Sequence, residues 1–378
     1  MPAHSRPKDG VAALAYVAGI HALLGKREGV DAQDLALPSP SNKRVVQVGW
    51  TRLADDKPGH DVESGGVLDV VAFGQFLEVL ISGLLAGVLY SLVALGFVLI
   101  FKASGVFNFA QGSMVLLAGL ALVRSLDWLV AKGFPVWSAI ILGLLFAGVI
   151  MAITAFLVER YVLGPLVNQD GLILFMSTIG VTFMIEGGAQ MLFGSDVYPL
   201  ALFPNDAWFL FDKTFEGGIL VSKIDVWGGV IAAVLVAGLA LFFQFTGTGR
   251  ALRAVADDHQ AAQSIGIPLK RIWVIVWSVA GFVALVAGVI WGSKLGVQFS
   301  LSVLALKALP LVILGGLTSV PGAIVGGLIL GAGEKLAEVF IGPLLGGGIE
   351  IWFAYVLALI FLLIRPQGLF GEKIIDRV

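Results

Sequence analysis

79-VLISGLLAGVLYSLVALGFVLIF-101 contains no charged side chain. A bilayer core about 30 Å thick is crossed by roughly 20 apolar residues in an α-helix. In lipid every backbone amide must find its partner inside the protein, so such a stretch is helical. It is not alone. Residues 133–158, 171–185, 226–249, 272–293, 308–333 and 351–364 are similarly apolar and poor in charge. The full chain of 378 residues is 58% hydrophobic and 13% charged, with a mean hydropathy of +0.95. A soluble domain carries about 25% charged residues. The fold class this dictates is an all-α polytopic membrane protein.

Outward from the first stretch, spans are expected at about 79–101, 110–123, 136–158, 171–193, 226–245, 272–292, 304–317, 321–340 and 349–364. That places the total at about 8–10 helices in a domain covering 79–378. The second and seventh are short. They read as broken or re-entrant helices, which a membrane protein tolerates where backbone is buried in protein or lines a cavity. Residues 1–78 hold 18 of the 50 charged residues and read as a polar extension. Within it Val11–Leu24 is apolar and reads as a short surface helix, while 38–44 and 54–66 carry loop composition.

Charge returns in 249-GRALRAVADDHQAAQSIGIPLKR-271, inside a connection spanning 246–272. Leu252, Val255, Ala262 and Ile265 fall on one side of a helix, while Asp257, Asp258 and Gln260 take others. Gly266 stands where a glycine stops a helix, and Pro268 follows. The island therefore predicts a short amphipathic helix, fit to lie on lipid headgroups or to enter a groove on a soluble partner. Arg250, Arg253, Lys270 and Arg271, with Arg365, Lys373 and Arg377 in the tail, put the island and the C-terminus in the cytoplasm. The acidic 194–225 segment, with Trp208 and Phe209 as interface anchors, then faces outward. Nine spans would put residue 78 outside as well.

The sequence excludes most enzyme chemistry. Cysteine is absent, which removes disulfides, thiolate metal sites and cysteine nucleophiles. Histidines 4, 21, 60 and 259 lack metal-ligand spacing, and no P-loop, HExxH or GxSxG occurs. No catalytic residue, metal, cofactor or nucleic-acid partner is expected.

Four stretches together resemble one family. Gly249–Gly266, with its A…DD…A…G pattern, resembles the cytoplasmic coupling loop of ABC-importer permeases. 87-GVLYSLVALGFVLIFKASGVFNFAQGS-113, 305-ALKALPLVILGGLTSVPGAIVGGLILG-331 and 365-RPQGLFG-371 are similar to conserved regions of the branched-chain amino-acid permeases, in that family's order. The last two stretches look like the smaller of its two permease subunits. The resemblance implies an ABC-importer permease fold in a bacterial inner membrane. It also implies cytoplasmic ATPase subunits, a homologous second permease and an extracytoplasmic binding protein that delivers a small amino acid. On it, Arg250, Arg253, Asp257, Asp258, Ala262 and Gly266 become candidates for contact with the ATPase. Ser113 departs from the family, where a glutamate is common.

Candidate pathway residues are the polar groups at membrane depth. Asn108 and Gln111 sit between two apolar stretches and either satisfy backbone freed by a helix break or meet substrate. Tyr90 and Ser91 lie mid-span. Glu186 is an intramembrane acid, a functional candidate by default, or a packing partner for Lys307. Lys307 and Pro310 mark a cavity-lining break, or Lys307 snorkels to the interface. The intramembrane GxxxG pairs Gly83/Gly87, Gly322/Gly326 and Gly327/Gly331 read as ordinary close packing. Alternatives to an amino-acid importer are an ABC permease for urea or short amides, an ion-coupled secondary transporter using Glu186, and a membrane scaffold.

Overall fold

The structure is a computed structural model describing residues 64–166, 169–204, 206–211, 215, 218–257 and 259–371. The N-terminal stretch 1–63, including the expected surface helix at Val11–Leu24, lies outside the described residues. Asp258 and the basic residues Lys373 and Arg377 do too.

Every expected span occurs as a helix, with shifted bounds. These are α1 (Ser64–Ser104), α2 (Gln111–Ala131), α3 (Val136–Leu157) and α4 (Gly171–Phe193). They continue as α5 (Lys223–Phe245), α6 (Gly247–Asp257), α7 (His259–Ser264), α8 (Leu269–Leu295), α9 (Leu304–Gly315), α10 (Val320–Leu336), α11 (Gly342–Leu345) and α12 (Glu350–Ile364). The first span lies inside a helix that already opens at Ser64. The second is not short: α2 runs 21 residues, enough to cross, because Arg124 and Asp127 near its far end are exposed and need not be buried. The seventh is short, as expected. Six helices are long and apolar enough to cross a membrane, while α9 and the α10–α11 segment pass that test only as a pair bent by 114°. The last, α12, is apolar but has only 15 residues.

The 194–225 segment also holds a two-stranded antiparallel hairpin that hydropathy does not announce. β1 (Ala207–Leu210) pairs with β2 (Ile219–Ser222) in the register Ala207↔Ser222 to Leu210↔Ile219. Ile219 and Val221 are buried while Leu220 between them is exposed, the period-two signature of a half-buried strand. The hairpin seats on the first half of α1. Phe73 packs on Phe215, and the Glu78 carboxylate accepts the Leu220 N–H at 3.3 Å. Lys223 pairs with Asp206 beside it, and that hydrogen bond holds the Asp206 carboxyl below its usual range.

The two ends of the bundle are thereby distinct. One carries the hairpin, the first turns of α1 and the Tyr198–Val297 bridge. The other carries α6, α7 and the tail, where the Leu369 N–H donates to Leu314 O at 2.8 Å and the Phe370 N–H to Gly315 O at 3.1 Å. The core is made by α1, α2 and α8, with Phe97, Met114, Leu120 and Trp277 essentially inaccessible. By contrast α3, α4 and α5 expose most of their surface.

At the centre α1 and α10 run antiparallel with their backbones in contact. A Cβ on Gly83 would lie 2.8 Å from Gly331 O, one on Gly331 would lie 2.5 Å from Gly87, and one on Gly87 would overlap Gly327 O. The GxxxG pairs Gly83/Gly87 and Gly327/Gly331 therefore face each other. Gly327→Val should destabilise the protein by about 1–3 kcal/mol through overpacking, read as a lower midpoint of thermal unfolding in detergent. Gly238→Ala on α5, where a Cβ meets nothing within 4 Å, should leave that midpoint unchanged or slightly raised.

Candidate functional site

The charged island folds back against the helix that leads into it. The Thr246 hydroxyl donates to Phe242 O at 2.6 Å and accepts the Gly249 N–H at 3.0 Å, so one side chain closes α5 and caps α6. A Cβ on Gly249 would overlap Phe243 O. The Arg253 guanidinium donates to that same oxygen, placing a cation on the C-terminal end of α5. Leu252, Val255 and Ala262 are buried, as their spacing predicts. Ile265, expected on the same side, is instead 73% exposed. The helix end explains this. The Ile267 N–H reaches Ala262 O at 3.0 Å and the Gly266 N–H reaches Gln263 O at 2.9 Å, with Gly266 at φ +85°. Ile265 lies past the end of α7 at Ser264, immediately before the turn at Gly266, and does not continue the apolar face. Arg250 is exposed, and Asp257 is the last residue of α6.

The Asn-Phe-Ala-Gln-Gly stretch forms the break between α1 and α2. Its backbone groups are satisfied locally. Asn108, fully buried, accepts the Ala110 N–H at 3.1 Å and donates to Gln111 Oε1 at 3.3 Å. Gln111 in turn donates to Ala280 O of α8 at 3.4 Å. The Thr178 hydroxyl on α4 accepts the Phe109 N–H at 3.2 Å and lies 3.1 Å from Phe107 O. Ser113 donates to Ala110 O at 2.9 Å, closing a carbonyl of the break with a neutral group. Both amide side chains are engaged in helix packing.

Ser91 belongs to the α1–α10 contact. Its hydroxyl donates to Gly87 O at 2.8 Å and lies 3.2 Å from Ala323 O. Tyr90, one residue earlier, points elsewhere. It is buried, stacks on Trp291 at 5.2 Å, and receives Lys307 Nζ 3.4 Å from its hydroxyl. Lys307 also lies 3.6 Å from Glu334 and 3.5 Å from Glu350, and Lys335 pairs with Glu350 at 2.9 Å. A five-residue polar cluster from α1, α9, α10 and α12 therefore stands toward the hairpin end of the bundle. The pairing of Lys307 with Glu186 is not made. Glu186 is half-buried on α4 and has no ion pair or hydrogen bond among the described residues.

Sequence reasoning misses Glu334, Lys335 and Glu350, although a signal is present. Glu334 and Lys335 fall inside the expected span 321–340, and ionisable groups within spans mark functional positions. A second missed pair, Lys294–Asp225 at 2.5 Å, joins the end of α8 to the start of α5.

Asn108→Ala removes the acceptor of one buried N–H and a partner of Gln111. It should destabilise the protein by about 1–3 kcal/mol, measured by thermal unfolding in detergent. Ser113→Ala, which frees only a carbonyl, should cost less.

A family model described as branched-chain amino acid transport system / permease component matches residues 79–365. The high-affinity branched-chain amino acid transport system permease protein LivH of Salmonella typhimurium is 27% identical over 81% of this chain and 99% of its own length. LivH of Escherichia coli K12 matches with the same figures. The permease protein BraD of Pseudomonas aeruginosa is 29% identical over 80% of this chain and 98% of its own. The family match runs from within α1 through α12 and takes in the island, the α1–α2 break and the α9–α10 bend. The chain is a multi-pass membrane protein and belongs to the branched-chain amino acid transport system permease family.

Proposed function

We propose that this chain is the membrane-spanning subunit of an ATP-driven importer of branched-chain or related amino acids in a bacterial inner membrane. The observation that carries this reading is the α6–α7 unit. It is anchored by Leu252, Val255 and Ala262 and locked to α5 by Arg253 and Gly249. It stands at the end of the bundle opposite the hairpin. A helix pair held this firmly, where basic span ends indicate the cytoplasm, suits force transfer from a separate ATPase better than it suits a surface loop. No P-loop occurs in the 378 residues, which supports a separate ATPase as the energy source.

The proposal extends to the remaining partners. With α6–α7 cytoplasmic, the 194–222 segment and its hairpin face outward, toward a binding protein that delivers substrate. The exposed apolar faces of α3, α4 and α5 meet lipid or a second permease subunit. The family match supports an amino-acid substrate.

Gly266 is the test position for coupling. At φ +85° a residue with a Cβ costs about 1–2 kcal/mol, so Gly266→Val should weaken ATPase docking about tenfold. Co-purification with the nucleotide-binding subunit, and binding-protein-stimulated ATP hydrolysis, should both fall. Uptake that persists without any ATPase, yet collapses with a protonophore and with Glu186→Gln, would instead establish an ion-coupled transporter.

A further inference from the structure

Lys307, Glu334, Lys335 and Glu350 form a cluster of two cations and two carboxylates, contributed by α9, α10 and α12, within otherwise apolar helices. Isolated charges at such depth are expensive and need a reason. Helix packing alone does not supply one, because the pairing is incomplete. Lys335–Glu350 at 2.9 Å has the length of a charge-assisted hydrogen bond. Lys307 stands off from Glu334 at 3.6 Å and from Glu350 at 3.5 Å, shared between them. Glu334 is 2% exposed, and its buried Oε1, the atom that faces Lys307 Nζ at 3.6 Å, has no partner within hydrogen-bond distance. An acceptor left unsatisfied in a low-dielectric site carries a desolvation cost that a donor would relieve. Lys307, Lys335 and Glu350 keep 31%, 33% and 27% of their side-chain surface. On its flank lies Tyr90, with Lys307 Nζ 5.7 Å from the ring centre and Trp291 stacked against it.

We propose that this cluster is a binding subsite for the zwitterionic end of an α-amino acid, a reading that rests on the importer assignment. The substrate ammonium replaces Lys307 at Glu334 Oε1, and the substrate carboxylate takes Lys307, which is released from its shared position. One positive and one negative group enter a charge-balanced cluster, so no net charge is placed at membrane depth. Glu350 remains held by Lys335 and keeps the cluster in place while Lys307 moves. A sugar or urea can hydrogen-bond to these groups but, being uncharged, offers no pair of opposite charges to match them. The subsite favours a zwitterion through charge complementarity with the permease's own side chains, beyond selection by the binding protein.

The test uses the complete transporter, with its ATPase, second permease and binding protein, in proteoliposomes with leucine as the probe. Glu334→Gln keeps the side-chain shape and removes the charge. Assembly should persist while leucine uptake falls by about tenfold or more. The swap Lys307→Glu with Glu334→Lys keeps the 307–334 pair, reverses its polarity and gives up the Lys307–Glu350 contact, and uptake should stay low. Because the chain contains no cysteine, Val303→Cys, at an exposed position one turn before Lys307, adds its one thiol and leaves the cluster intact. Modification of that thiol by a cationic thiosulfonate should slow when leucine-loaded binding protein and ATP are present. Wild-type uptake by Glu334→Gln or by the swap overturns the proposal. Leucine-independent modification does so too, as does loss of the second permease from the purified Glu334→Gln complex, which would make the cluster a subunit seat. A wild-type complex with no ATP-dependent leucine uptake would refute the importer assignment instead.

Discussion

The backbone contact between α1 and α10 is the constraint from which the rest of the molecule is built. Lipid tails are as apolar as leucine, so burying apolar side chains does not drive helices together in a membrane. Close approach must do it through dispersion and hydrogen bonds. Gly83, Gly87, Gly327 and Gly331 remove the side chains that would keep the two helices apart. The Ser91 hydroxyl then bridges the joint, directed to Gly87 O on its own helix and close to Ala323 O on the other. That contact sets the position of everything polar nearby. Tyr90 is turned toward Trp291 of α8 and Lys307 of α9. Glu334, one turn beyond Gly331, is brought beside Lys307.

Around this joint the protein uses interrupted helices and satisfies each interruption with side chains of the break itself and with groups from elsewhere in the chain. The break after α1 is closed by Asn108, Gln111, Ser113 and Thr178. The break between α9 and α10 is closed differently. Ser319 caps α10 by accepting the Gly322 N–H at 3.0 Å. The tail adds its Leu369 and Phe370 N–H groups to the last carbonyls of α9. Irregular backbone can therefore exist at membrane depth because these freed groups are buried in protein with partners.

The helices also divide into a fixed core and a surround. α1 and α8 are mostly buried, while α3, α4 and α5 are mostly exposed. The island is tied to a member of the surround, since Arg253, Gly249 and Thr246 all meet the last turn of α5. Leu252, Val255 and Ala262 press the same unit against the core. The α6–α7 unit thus touches both at once.

The sequence by itself determined the helical class, the approximate span positions, the island with its stop at Gly266, and the family. Those properties are local or one-dimensional: runs without charge, a helix period, a glycine followed by proline. Only the tertiary structure decided what each polar residue touches. Asn108 and Gln111 close a helix break, and Ser91 joins two helices. Glu186 and Lys307, both ionisable groups within apolar segments, stand apart. Lys307 instead meets Glu334 and Glu350, which lie 27 and 43 positions further along the chain. The hairpin at 207–222 is illegible in sequence because its strands are four residues each, too short for a period to stand out. Hydropathy is a property of each segment alone and is alike for buried α1 and exposed α3. Which helix is core, and which charges meet, depends on where small residues let backbones touch, and that is a relation between segments distant in sequence.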